Sequence, residues 1–136
     1  MANQYSNIGV IYKTCGDLGK ALEMYEKALD INKKLERKEG MAIQYGNIGN
    51  VHKTRGDMVK ALEMYEKALM IHKKLGQKEG MASDYCNMGI AYKNRGELDR
   101  AEELLTKSLQ LFREIGNEIS IDHVQGLLKT LRDEQK

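Results

Sequence analysis

The sequence has no proline and no tryptophan, only two cysteines and one phenylalanine, and it is almost without net charge. No apolar run approaches the roughly 18 residues that would span a bilayer, and the N-terminus shows neither a basic n-region nor an apolar h-region. These absences predict a soluble cytoplasmic protein with no membrane partner. Cys15 and Cys86 cannot build a disulfide framework, and no CxxC or Cys/His cluster suggests zinc, so neither metal nor cofactor is expected. The 22 Lys+Arg against 20 Asp+Glu give a formal charge of +2. That is too little for the basic surface that non-specific nucleic-acid binding needs. Without proline, and with 13 glycines to punctuate it, the chain is expected to form long helices joined by glycine turns, an all-α fold. A length of 136 residues suits a single domain, at about 100–200 residues per domain.

What is present is repetition. Met1-Ala2-Asn3-Gln4-Tyr5 returns as Met41-Ala42-Ile43-Gln44-Tyr45 and as Met81-Ala82-Ser83-Asp84-Tyr85. The register advances by about 40 residues, and roughly 28 of 40 positions agree between the first two units. This gives repeats over 1–40, 41–80 and 81–120. Within the first, Tyr5, Ile8, Gly9 and Tyr12 share one side at helical spacing, which predicts a helix A over Ala2 to Thr14 with those residues in the core. Gly16-Asp17, Gly56-Asp57 and Gly96-Glu97 then supply a turn residue followed by an acidic helix start. A helix B is predicted from Asp17 to about Leu35, with Leu18, Ala21, Leu22, Tyr25, Ala28 and Leu29 among its apolar positions. Gly76 and Gly116 suit left-handed helix ends, whereas Glu36 holds that place in the first unit and predicts a looser end there.

After Gly116 one further helix is expected over about 118–134, with Val124, Leu127, Leu128 and Leu131 as its apolar stripe. In the repeat register its other face carries Gln125 and Arg132 at the core aromatic positions of the earlier units and Lys129 at their glycine, as a solvated C-terminal cap requires. No matching polar cap precedes helix A of the first unit. That suggests a fragment, or an open end that stacks on something else.

The pattern Tyr5, Ile8-Gly9, Tyr12, Gly16, Ala21, Tyr25, Ala28, with its copies from Tyr45 and Tyr85, resembles the tetratricopeptide repeat (TPR). The resemblance covers about residues 1–120. The proline that often closes helix B is replaced by Lys33, Lys73 and Arg113, so helix B runs on. The longer unit is similar to those of kinesin light chains and Pins-type adaptors. The resemblance implies a right-handed α-solenoid of three hairpins plus a cap, and a protein-interaction scaffold that binds an extended peptide in the concave groove of its A helices. Asparagines at the position of Asn7, Asn47 and Asn87 are understood to contact the peptide backbone in those relatives.

The residues themselves favour the same face. Asn3, Asn7, Val10 and Thr14 lie opposite the core side of helix A; Ile43, Asn47, Asn50 and Thr54, then Ser83, Asn87, Ile90 and Asn94, are their counterparts. An ordinary solvent face would carry Lys and Glu, as helix B does, whereas this one is uncharged. Amides, hydroxyls and scattered aliphatics can meet a peptide backbone without a large desolvation cost. Ser6, Gly46 and Cys86 leave space beside the asparagines, and Val10, Ile43 and Ile90 make the floor partly apolar. Lys13, Lys53 and Lys93 border the face and favour acidic residues in a peptide. The alternative, that the asparagines only order neighbouring helices, is disfavoured by the missing charge. A carboxylate clamp for chaperone tails is disfavoured because the inner positions are neutral.

No nucleophile–base pair or carboxylate cluster indicates catalysis, and His52, His72 and His123 lack metal-ligand spacing. His52, at a core tyrosine position, reads as a packed histidine, and the copied methionines Met24, Met64, Met41 and Met81 read as core filling. A second functional reading remains: the first A helix exposes an apolar edge that could stack on another copy and form a homo-oligomer.

Overall fold

A computed structural model describes residues 1–135, and these form seven helices with no strand. They are α1 (Ala2–Thr14), α2 (Leu18–Lys34), α3 (Lys38–Thr54), α4 (Met58–Leu75), α5 (Lys78–Asn94), α6 (Leu98–Ile115) and α7 (Glu118–Glu134). Helix A of the first repeat and the cap fall within the ranges read from the sequence. Helices α3 and α5 start three residues ahead of Met41 and Met81, because Lys38-Glu39-Gly40 and Lys78-Glu79-Gly80 form their first turns. The chain divides into two compact units, Met1–Ile71 and His72–Lys136.

The helix boundaries follow local chemistry. Asp17 and Asp57 accept hydrogen bonds from the backbone N–H groups of Lys20 and Lys60, each at 3.1 Å, and so satisfy donors that the helix start leaves open. Glu97, one methylene longer, makes no such bond, and Asn117 caps α7 through Ser120 N at 3.1 Å. Gly116 ends α6 in the left-handed region at φ 73, where its N–H donates to Arg113 O at 3.2 Å and Asn117 N–H to Phe112 O at 3.1 Å.

The expectation of a looser end at Glu36 is corrected. Glu36 adopts φ 54, and the same two bonds close the helix, Glu36 N–H to Lys33 O at 3.2 Å and Arg37 N–H to Asn32 O at 2.9 Å. The cost there is steric, because a Cβ in the left-handed region crowds the backbone. Glu36→Gly is therefore expected to stabilise the chain by about 1 kcal/mol, read as a higher urea midpoint at constant slope. A lowered midpoint would contradict this account of the turn.

In the first unit α1, α2 and α3 share a core in which Ala21, Tyr25 and Leu29 meet Ile48 and Val51, with Tyr12, Met41, Tyr45 and Met64 around it. The small residues let the helices approach. A Cβ placed on Gly49 would lie 2.7 Å from Tyr65 Cε1, and one on Gly9 would lie 2.7 Å from Tyr25 Cε1. In the second unit Leu105 fills the same space against Gly89. There Ala82, Ala101, Leu105, Leu109 and Phe112 pack on Val124, Leu128 and Leu131 of α7, and Ser108 Oγ donates to Ala82 O at 2.7 Å. Gln125, Lys129 and Arg132 are exposed, as expected of a capping helix.

Ile8 departs from its expected core place. It is 40% exposed and Ile11 is 62% exposed, whereas their repeat counterparts Ile48 and Val51 are 4% and 0% exposed. Leu29 of α2 covers Ile48 and Val51, and among the described residues no helix takes that position over α1.

Candidate functional site

In the first unit the uncharged face of α1 is solvated, with Asn3, Asn7, Val10 and Thr14 all exposed. On α3, Ile43 is 49% exposed, Asn47 and Asn50 are half-buried, and Thr54 is exposed. Two of these asparagines have partners within the fold. Asn47 Nδ2 donates to Gln44 Oε1 at 3.3 Å, which fixes the carboxamide from the adjacent turn. Asn50 Oδ1 accepts from the Tyr65 hydroxyl at 2.5 Å, so this residue anchors the buried tyrosine of α4 and keeps both of its amide N–H groups for a ligand.

In the second unit Ser83 and Asn94 on α5 are exposed, and Asn87 and Ile90 are half-buried, with Ile90 resting on the unit's core. The space beside the asparagines differs between repeats. An added Cβ at Gly46 would meet nothing within 4 Å, and Ser6 is half-buried. Cys86, expected to leave such space, is only 8% exposed and belongs to the core. Lys13 and Lys53 are half-buried, and Lys93 pairs with Glu134 of the cap at 3.6 Å, which moderates its pull on an acidic ligand.

The tyrosines behind this face are held by cations from the B helices. Lys27 lies over Tyr5 and Lys20 over Tyr12, while Tyr45 is flanked by Lys33 and Lys67, all within 6.0 Å. Tyr85 is flanked likewise by Lys73 and Lys107. These contacts hold the A helices by their inner sides.

One polar feature escaped the sequence reading. His72 and Asp84, 8% and 4% exposed, form a buried pair with Nδ1 and Oδ2 2.5 Å apart. Burial raises the Asp84 carboxyl to about 6, against a lowering by the hydrogen bond and charge of His72. The available signal was the register: Asn32 and Gln44, both 4% exposed, stand forty residues earlier, and Phe112 and Val124 forty later. His52 is half-buried, and burial lowers its pKa despite the raising effect of Asp57. Among the described residues no group of three His, Cys, Asp or Glu could hold a metal ion, and no helix is long and apolar enough to cross a membrane.

With hairpin, small-residue contacts and repeat period established, the chain belongs to the tetratricopeptide-repeat family, whose model matches residues 1–74 and again 40–114. Members of this family are generally non-enzymatic scaffolds for protein–protein interaction. Among solved structures it is similar to apo RapI at 18% identity and a TM-score of 0.90, covering 98% of this chain and 49% of RapI. It is also similar to BtubC from P. vanneervenii, at 21% identity and a TM-score of 0.73, covering 98% of this chain and 64% of that one. The TPR domain of Arabidopsis FLU aligns at 16% identity and a TM-score of 0.78, covering 83% of this chain and 95% of that one. The chain thus spans about half of RapI and under two thirds of BtubC. No curated protein matches it.

Proposed function

We propose that the chain is an adaptor whose uncharged A-helix faces hold an extended peptide of a cytoplasmic partner protein. The observation that carries this reading is the repeated presentation of carboxamides on faces that lack charge: Asn7 and Asn47 in the first unit, Asn87 in the second. Each amide can donate to a peptide carbonyl and accept from a peptide N–H. Val10, Ile43 and Ile90 add apolar contact, Asn3 and the Nδ2 of Asn50 add donors, and Lys13, Lys53 and Lys93 favour acidic side chains. Hydrogen bonds worth roughly 0.5–1.5 kcal/mol each cannot alone reach the roughly 8 kcal/mol of a micromolar complex, so side-chain contacts supply the remainder. For a peptide selected from a displayed library against the full chain, Asn47→Ala is expected to weaken binding by about three- to tenfold with unaltered circular dichroism. Unchanged affinity removes Asn47 from the site.

A second reading rests on the exposed Ile8 and Ile11, whose counterparts elsewhere are covered. Here that apolar edge of α1 stacks on another copy and extends the array. Sedimentation across a wide concentration range separates the two. Association that weakens in an Ile8→Gln, Ile11→Gln variant supports stacking, and a single species of monomer mass throughout eliminates it.

A further inference from the structure

An open cleft of about 580 Å³ runs between α6 and α7, and none of its lining residues belongs to the asparagine faces. Its floor is Leu109 and Leu128, and its charged rim is Arg113, Lys129 and Arg132 against Asp133, three cations to one carboxylate. The repeat register shows what kind of object such a cleft receives. Leu128, Lys129 and Arg132 stand forty residues after Met88, Gly89 and Tyr92, and Gln125 forty after Tyr85. On α5 those positions form the seat of a B helix. Leu105 of α6 abuts Gly89, Lys107 lies over Tyr85 at 5.7 Å, and Arg100 lies over Tyr92 at 5.4 Å.

The charge logic of the seat is inverted on α7. In the internal seats a cation of helix B rests on a tyrosine of helix A, as Lys20 does on Tyr12 and Lys67 on Tyr45. On α7 glutamine and arginine replace the two aromatic faces, and lysine replaces the glycine that admits a deep side chain. A B helix of the chain's own kind would bring one cation against Arg132 and the other over the neutral Gln125, with Lys129 blocking the place that its deep side chain would take. A helix with a carboxylate facing Arg132 would meet complementary charge, as Glu102 of α6 already does at 3.5 Å, and a carboxylate facing Gln125 would lie one helical turn from Lys129. Lys129 also keeps the docked helix shallower than α6 sits on α5. We infer that the α6–α7 cleft is a second docking surface, shaped for an acidic amphipathic helix of a partner protein. The helix would lie where a B helix follows each earlier A helix and place its apolar stripe on Leu109 and Leu128.

The test uses the full chain and two labelled peptides. One copies residues 58–75, and the other is the same segment with K60E and K67E, the two positions whose counterparts on α6 are Arg100 and Lys107. In fluorescence anisotropy at low salt the acidic peptide is expected to bind roughly tenfold more tightly than its parent. The preference is expected to reverse in a Lys129→Glu, Arg132→Glu variant and to shrink as salt rises. Both changes lie on exposed side chains, and methyl chemical shifts of Leu109 and Leu128 in the unmutated chain locate the peptide independently. Equal binding of the two peptides, no binding of the acidic one, or shifts confined to the asparagine faces would each overturn the assignment. Failure here leaves the proposed asparagine site intact, since no residue is shared.

Discussion

Gly49→Ala is expected to destabilise the protein by about 1–3 kcal/mol, although alanine favours a helix over glycine by about 1 kcal/mol. The added methyl would stand 2.7 Å from Tyr65 Cε1. That ring is 0% exposed and its hydroxyl is bonded to Asn50, so retreat would break a hydrogen bond and open space elsewhere. Gly46→Ala, three residues earlier with open space around the new atom, is the matched control and should gain stability by up to about 1 kcal/mol. Thermal unfolding of the pair checks the sign. If both substitutions raise the melting temperature, helices A and B do not approach at Gly49 as described.

Asp84→Ala should have the larger effect, a loss of about 3–5 kcal/mol, because it leaves His72 buried opposite a void. The chain supplies its own rescue, since Asn32 and Gln44 hold the same two positions in the first unit without charge. A His72→Asn, Asp84→Gln variant is therefore expected to recover most of that loss in urea unfolding; a double variant as unstable as Asp84→Ala would show the pair is not interchangeable. The pair also makes stability depend on pH. Since the folded carboxyl is raised to about 6 from an ordinary 3.8, the native state holds its proton more firmly than the unfolded chain. That stabilisation is present below the ordinary value and fades as pH rises through about 6. Relative to Asp84→Asn, the unmodified protein should lose stability between pH 4 and pH 6, and a flat difference would contradict the raised carboxyl.

These residues show what could be read from the sequence. The three hairpins and the core place of Gly9 were legible because a period of small and large residues is stamped three times on one chain, whereas the end at Glu36 was not, since no glycine announces its left-handed backbone. Ile8 was assigned to the core because periodicity alone presumes that every A helix has a neighbour on both sides. The bond that holds Asn50 was not legible, since nothing in its own helix announces a tyrosine hydroxyl reaching it from fifteen positions along. His72 and Asp84 lie on different helices, and each becomes conspicuous only beside its counterparts, neutral in one repeat and apolar in the next. The proposal for the asparagine faces rests on missing charge, which needs no tertiary information.

The proposed adaptor role turns on the carboxamides, and side-chain amide NMR observes them directly. On titration of the full chain with a library-selected peptide, the Nδ2 resonances of Asn7, Asn47 and Asn87 are predicted to shift together. A peptide that binds while those three stay in place and only B-helix or α7 resonances move would contradict it.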